Sequence, residues 1–289
     1  MIRIGISGWT YPPWRGVFYP KGLRQKDELS YAASKFNTIE INGTFYGRQK
    51  PASFLHWREA TPEDFVFSVK APRFITHIRR LRDVETPLAN FFASGILGLG
   101  PKLGPILWQF PPTLKYDEAL FSDFFALLPP DTERAAALAK QHDSRVKDYV
   151  PASLDEHFEL RHAVEIRHES FRDNGFIKIL RKHHVALVCA DTVEWPRLMD
   201  VTSDFVYCRL HGSEQLYASG YDGKALDAWA RRIGTWSDGR EPKDAERIGG
   251  ASPARKSGRD VFVYFDNDIK VKAPENAADL ARRLHVDTS

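Results

Sequence analysis

The chain has 289 residues, 43% of them hydrophobic, with 41 Lys and Arg against 38 Asp and Glu for a formal net charge of +3. That length and apolar content suffice for one large core, and the near balance of charge excludes a histone-like polycation while leaving room for a local basic patch. The two cysteines, Cys189 and Cys208, form no CxxC pair and sit in apolar runs, which reads as two buried free thiols in a reducing compartment.

The first strand, Ile2–Ser7, begins almost at once, with no signal-peptide pattern before it. No apolar run is long enough to span a bilayer, so a cytoplasmic protein without membrane contact is expected. A helix over Lys26–Phe36 leads to a strand at Thr38–Asn42, and a helix over Pro51–Ala60 to one at Phe65–Lys70. Helix Pro87–Leu97 then precedes strand Pro105–Gln109, and helix Asp117–Leu128 precedes strand Ala163–Arg167. Helix Asn174–His184, strands Ala186–Ala190 and Phe205–Leu210, helix Leu226–Ile233, strand Val261–Phe265 and helix Pro274–Leu284 complete the chain. Eight β-rich runs alternating with amphipathic segments predict a single-domain α/β fold over residues 1–289, a TIM-type (β/α)8 barrel. A doubly wound sheet usually has fewer strands and often a GxGxxG turn after the first, which is absent. Gly95, Gly98 and Gly100 read instead as a helix end and turn. Two segments exceed what a barrel needs: Pro129–Leu160, with room for one or two extra helices, and Thr235–Arg259, whose Gly, Pro, Ser and charge suggest a mobile surface loop.

Side chains alternate along a strand, so apolar positions that face the helices fix which residues turn inward. That logic sends Thr38, Glu40 and Asn42 inward, with Ser68 and Lys70, Glu165 and Arg167, and Tyr207, Arg209 and His211. Gln109, Asp191 and the pair Asp266 and Asn267 sit at or just past other strand ends. Barrel interiors are usually filled by Val, Ile and Leu, and a buried unpaired charge costs several kcal/mol. These ions must therefore pair, bind a ligand or line a wet mouth at the strand C-termini, where barrel enzymes place their sites. Glu165, Asp191 and His211 are the candidates for general acid/base catalysis, and Lys70, Arg167 and Arg209 for holding a phosphate or carboxylate. Interleaved Lys and Arg oppose a cation and no HExxH-like spacing occurs, so no metal or other cofactor is expected. A Schiff-base role for Lys70 suits the fold, but nothing adjacent in sequence argues for a lowered pKa.

Aromatics crowd the first loops, Trp9, Tyr11, Trp14, Phe18 and Tyr19 after strand 1 and Phe45 and Tyr46 after strand 2, either to stack on a sugar or base or to cap the mouth. The stretch 70–82, KAPRFITHIRRLR, is the strongest electrostatic footprint for a polyanion, although such runs are more often a solvated face.

Several of these motifs resemble the YecE-like family, also called domain of unknown function 72. They are Gly5-Ile6-Ser7-Gly8-Trp9-Thr10-Tyr11 with Trp14–Pro20, Glu40-Ile41-Asn42-Gly43-Thr44-Phe45-Tyr46, Lys70 with Thr76-His77, and Leu107-Trp108-Gln109-Phe110-Pro111-Pro112. Val164–Ser170, Arg209-Leu210-His211-Gly212 and Tyr264-Phe265-Asp266-Asn267-Asp268 add to them, so the resemblance runs nearly the whole chain. It departs at Asp266-Asn267, where an Asn-Asn pair is common, and in the long Thr235–Arg259 segment. The resemblance implies a TIM-type barrel in a mostly bacterial, intracellular protein, and an endonuclease-like role by analogy, without supplying a reaction. Strand ends and matching motifs together give a candidate substrate-binding set of Ser7, Trp9, Glu40, Asn42, Tyr46, Lys70, His77, Gln109, Arg167, His168, Arg209, Asp266 and Asn267.

Three functions compete. The first is an enzyme (hydrolase, isomerase or lyase) using acid/base chemistry on a phosphorylated or sugar-containing small molecule. The second is a nucleic-acid binder or endonuclease-like hydrolase working through residues 70–82, and the third a noncatalytic ligand-binding barrel.

Overall fold

A computed structural model of the chain describes residues 1–151, 157–212, 216, 219–267 and 271–287. Eight parallel strands close into a barrel in sequence order. They are β1 (Ile2–Ser7), β2 (Thr38–Ile41), β3 (Val66–Lys70), β4 (Leu103–Gln109), β5 (His162–Glu165), β6 (Ala186–Asp191), β7 (Phe205–Leu210) and β8 (Asp260–Phe265). The closing pair, β1 with β8, runs in register from Ile2 opposite Val261 to Ile6 opposite Phe265. Close approach at β1 requires a glycine, because a Cβ on Gly5 would stand 1.8 Å from the Thr38 carbonyl oxygen.

The outer ring comprises α1 (Glu28–Ala33), α2 (Gly43–Tyr46), α3 (Pro51–Glu59), α4 (Glu85–Phe92), α5 (Glu118–Leu127), α6 (Thr132–Ala139), α7 (Asn174–Lys182), α8 (Gly223–Ser237) and α9 (Lys272–Arg283). Asp117, Asp131, Asp173 and Asp222 cap α5, α6, α7 and α8, each accepting a hydrogen bond from a first-turn backbone N–H. The Asp222 cap starts α8 three residues before the apolar pattern does, and Trp236 carries its buried face beyond Ile233. Conversely, the Lys26–Phe36 expectation shrinks to a 3-10 turn at Gln25–Asp27 followed by the six-residue α1. Helix α6 is the extra helix expected in Pro129–Leu160; residues 152–156 of that segment, and Asp268, lie outside the described residues. Gly95 (φ 105°) and Gly100 (φ 56°) do make left-handed turns after α4.

Alternation divides the core in two. Ile4, Ile6, Ile39, Ile41, Val164, Cys208, Val261 and Val263 face the helices and pack with them. Leu107, Ala163, Ala186, Val188, Ala190, Phe205, Tyr207, Phe262 and Tyr264 fill the barrel. Both cysteines are buried and free. No helix among the described residues is long and apolar enough to cross a membrane.

The segment 235–259 is not the free loop its composition suggests. Its first residues continue α8, Asp200 accepts the Ile248 and Gly249 backbone N–H groups, and Arg181 donates to the Gly250 carbonyl. Arg259, 2% exposed, donates to the carbonyls of Arg240 and Pro253. Side chains scattered along the chain supply the order that its own few apolar residues cannot.

Candidate active site

The upper barrel interior is built around one guanidinium. Arg209, on β7, is fully buried and donates to Glu40 (Nη2–Oε1 2.8 Å, Nε–Oε2 3.1 Å), Glu165 (Nη1–Oε2 2.7 Å) and Asp266 (Nη2–Oδ2 2.8 Å). Ser7 Oγ donates to Glu40 Oε1 at 3.0 Å, and the Tyr207 hydroxyl donates to Glu40 Oε2 at 2.6 Å. Glu165 Oε1 accepts from Gln109 Nε2 at 2.9 Å and from Arg167 Nε at 2.7 Å. Strands 1, 2, 4, 5, 7 and 8 thus converge on one network, as the inward alternation of their charged residues requires.

Electrostatics follow from this packing. Burial pushes the Glu165 carboxyl up, but Arg167 and Arg209 more than reverse it and hold it well below the usual carboxylate range. Asp266 shows the same opposition, burial against Arg209 and His211, and settles at about 2. Burial and the adjacent Glu40 raise the Tyr207 hydroxyl well above its ordinary value. Glu165 and Asp266 are therefore ionised at neutral pH, and all three carboxylates are engaged by donors.

Above the network lies a cavity of about 490 Å³. Its floor and walls carry Lys70, Gln109, Arg167, Asp266, Asn42, Arg73 and His77, with Tyr11, Phe45 and Tyr46 as aromatic sides. Among the described residues lining it, Asp266 is the one acid, against the basic side chains of Lys70, Arg73 and Arg167. Lys70 is 7% exposed, and its Nζ sits 4.3 Å from the centroid of the Phe45 ring. Burial first, and then Arg209, bring its pKa down to about 8. No hydrogen bond or ion pair from Nζ to any described residue accompanies that burial. Asn42 Oδ1 is likewise shut from solvent and accepts no hydrogen bond among the described residues. His77, carried on a π-helical turn at Phe74–Ile78, is held near 4 by burial, Arg167, Lys70 and Arg73, so it is neutral.

The structure brings together most, but not all, of the residues expected from sequence. Ser7, Glu40, Glu165 and Arg209 form the network, and Asn42, Tyr46, Lys70, His77, Gln109, Arg167 and Asp266 line the cavity. His211 is fully buried behind it, with Nδ1 3.1 Å from Asp266 Oδ2, and Nε2 3.6 Å from Glu165 Oε2.

Four of the expected residues lie outside both the network and the lining of the cavity. Asp191 shares the helix-facing side of β6 with Leu187 and Cys189 and accepts from Trp229 Nε1 at 3.2 Å and Arg197 Nη1 at 3.1 Å, outside the network. Asn267 also faces outward, donating to Asn276 Oδ1 and the Ser219 carbonyl. Trp9 follows Gly8, whose φ of 81° turns the chain, and packs edge-on against Trp57 at 5.4 Å. His168 caps a local turn by accepting the Ser170 N–H. Burial and Arg209 lower the Lys70 pKa, an influence that no residue adjacent to it in sequence supplies. Tyr11, Phe45 and Arg73 were missing from the expected binding set; the signal was their place in the aromatic loops and the basic stretch.

That stretch does not form one continuous basic track. Lys70 is buried in the mouth and Arg73 stands on its wall. Arg79 pairs with Asp83, and Arg80 donates to the Thr113 hydroxyl and carbonyl. The carboxylates are occupied by guanidinium groups, and no group of three or more His, Cys, Asp or Glu among the described residues is placed to hold a metal ion.

Fold and mouth together define a closed (β/α)8 barrel with a cavity lined by charged and aromatic residues at its C-terminal face. The family model described as "Protein of unknown function DUF72" matches residues 3–289, so the chain belongs to that family. It is 35% identical over 113 residues to the UPF0759 protein YecE of Escherichia coli strain K12, covering 39% of each chain. It is 32% identical over 117 residues to the UPF0759 protein YunF of Bacillus subtilis, covering 39% of this chain and 40% of that one. The matched region thus spans about two fifths of those curated relatives. Among solved structures, a DUF72 family protein from Thermotoga maritima superposes with a TM-score of 0.73 at 23% identity over 99% of both chains. Another from Enterococcus faecalis gives 0.66 at 18% identity over 99% of this chain and 98% of that one. Both show the same fold.

Proposed function

We propose that the barrel mouth takes a small anionic substrate, a phosphorylated or sugar-containing molecule, and that Lys70 is the group that exchanges a proton with it. The observation that carries this reading is the Lys70 ammonium, almost buried in the cavity without a hydrogen-bond or ion-pair partner among the described residues. An ammonium buried there with the Phe45 face but no hydrogen-bonding acceptor among the described residues costs free energy that an anion would offset. Arg73 and Arg167 add charge-matched donors beside it, while Tyr11, Phe45 and Tyr46 offer faces for a sugar ring.

The chemistry divides between two layers. With a pKa of about 8, Lys70 exists in both protonation states near neutral pH, which suits a general acid or base. Glu165 is held too acidic and too deep for that task; it fixes Arg167 and Arg209. His211 acts through Asp266, against which it packs. The small-anion reading is favoured over a polyanion because the basic residues between 70 and 82 diverge rather than form a track.

The test is a panel of sugar phosphates and other phosphate monoesters, followed by 31P NMR with wild type and Lys70→Met. Conversion of at least one compound by wild type, lost in Lys70→Met at a melting temperature no lower than that of wild type, is expected. Conversion that survives Lys70→Met, or no binding and no conversion across the panel, would overturn the reading.

A further inference from the structure

Beside the mouth lies a second cavity of about 260 Å³, whose character is different. Phe45, Tyr46 and Arg73 line both, so the two spaces share one wall and lie side by side. Most of its surface is apolar, from residues such as Phe74, Ile75, Phe91 and Val146, although Arg48 and Arg145 also line it. Tyr46 and Phe74 stay 75% and 41% exposed there, although both are large apolar rings. Exposed aromatic surface next to a donor-lined cavity is what a ligand with two unlike ends would cover.

We infer that this apolar annex receives the hydrophobic part of the same ligand, which is therefore a phosphate monoester bearing an aromatic or other flat apolar group. The inference rests on the anion site proposed above and adds the class of group attached to the anion. The phosphate sits by Lys70 and Arg73, and the attached ring reaches past the Phe45–Tyr46 pair, itself packed edge to face at 5.1 Å, into the annex. An aryl phosphate and a mononucleotide share this chemistry. A bare sugar phosphate lacks it and would leave the annex in water.

Gly47 provides a selective way to fill the annex. It lines the annex but not the mouth, its φ of −161° suits any residue, and a Cβ there would meet no atom within 4 Å. Calorimetric titration of wild type and Gly47→Trp with inorganic phosphate, phenyl phosphate, ribose 5-phosphate and AMP tests the idea. Wild type should bind phenyl phosphate about tenfold or more tighter than inorganic phosphate, from the apolar area removed from water. In Gly47→Trp that advantage should vanish while inorganic phosphate binding stays the same. AMP tighter than phenyl phosphate would point to a nucleotide as the source; the reverse would point to a simple aryl ester. Equal affinity of wild type for phenyl phosphate, ribose 5-phosphate and inorganic phosphate would overturn the annex and leave the anion site standing. Failure of all four to bind would overturn both. Because the wild-type comparison stands alone, misfolding of Gly47→Trp, checked by thermal unfolding, would not remove the test.

Discussion

The lower and upper halves of the barrel interior are made of opposite materials. Below, Val66, Ala186, Phe205 and Phe262 pack as an apolar plug, with Phe205 and Phe262 edge to face at 5.9 Å. Above, Arg209 binds three carboxylates, and Lys70 lies over them without a hydrogen-bonding partner among the described residues. Apolar packing stabilises a barrel directly, whereas buried ion networks are often no better than a hydrophobic replacement. On the proposed function the upper half serves a ligand, and the lower half serves the fold.

Substitutions can break that contrast. The largest effect is expected at Arg209: replacement by Met leaves Glu40, Glu165 and Asp266 buried without their shared cation and should cost about 4 kcal/mol or more. A urea midpoint close to that of wild type would show that the carboxylates do not depend on it. Phe262→Ala should cost about 3 kcal/mol through the cavity it opens, with anion binding retained, since Phe262 belongs to the lower plug. Loss of binding at retained stability in that variant would erase the division between the halves.

Two titrations sharpen it. Asp266 and Glu165 have folded pKa values below their unfolded ones, so the unfolded chain binds more protons in acid. Their stabilisation is full above the usual carboxylate range and is lost as pH falls from about 4 toward about 2, the folded value of Asp266. Asp266→Asn should flatten that part of the stability–pH curve. Lys70 works the other way. Its folded pKa of about 8 lies below the ordinary value of 10.5, so stability rises with pH between the two. Lys70→Met should remove this rise and, at pH 7, raise stability by about 1 kcal/mol through relief of the buried charge. A destabilised Lys70→Met would mean that Lys70 is a structural member of the network. The smallest effect, within about 0.5 kcal/mol, is expected from Lys256→Ala on the exposed segment before β8.

The fold was legible because the helix-facing positions of β2, β5 and β7 are apolar and the alternate ones charged, so each strand declares its own orientation. Glu40, Glu165, Arg209 and His211 were turned inward on that pattern, and the structure places them there. In β6 and β8 both faces are apolar, as in Ala186–Ala190 and Val261–Phe265, and alternation cannot be read. Asp191 ends β6 and Asn267 follows β8, and both face the helices. The lowered pKa of Lys70 was invisible for another reason: its causes are burial and Arg209, which the barrel brings near only when it closes.

The central claim is that Lys70 makes the mouth an anion site. Thermal unfolding of wild type and Lys70→Met in increasing phosphate, against chloride at matched ionic strength, tests it most directly. The account predicts a melting temperature that climbs with phosphate in wild type and stays level in Lys70→Met. A parallel climb in both proteins, or no climb in wild type, would contradict it.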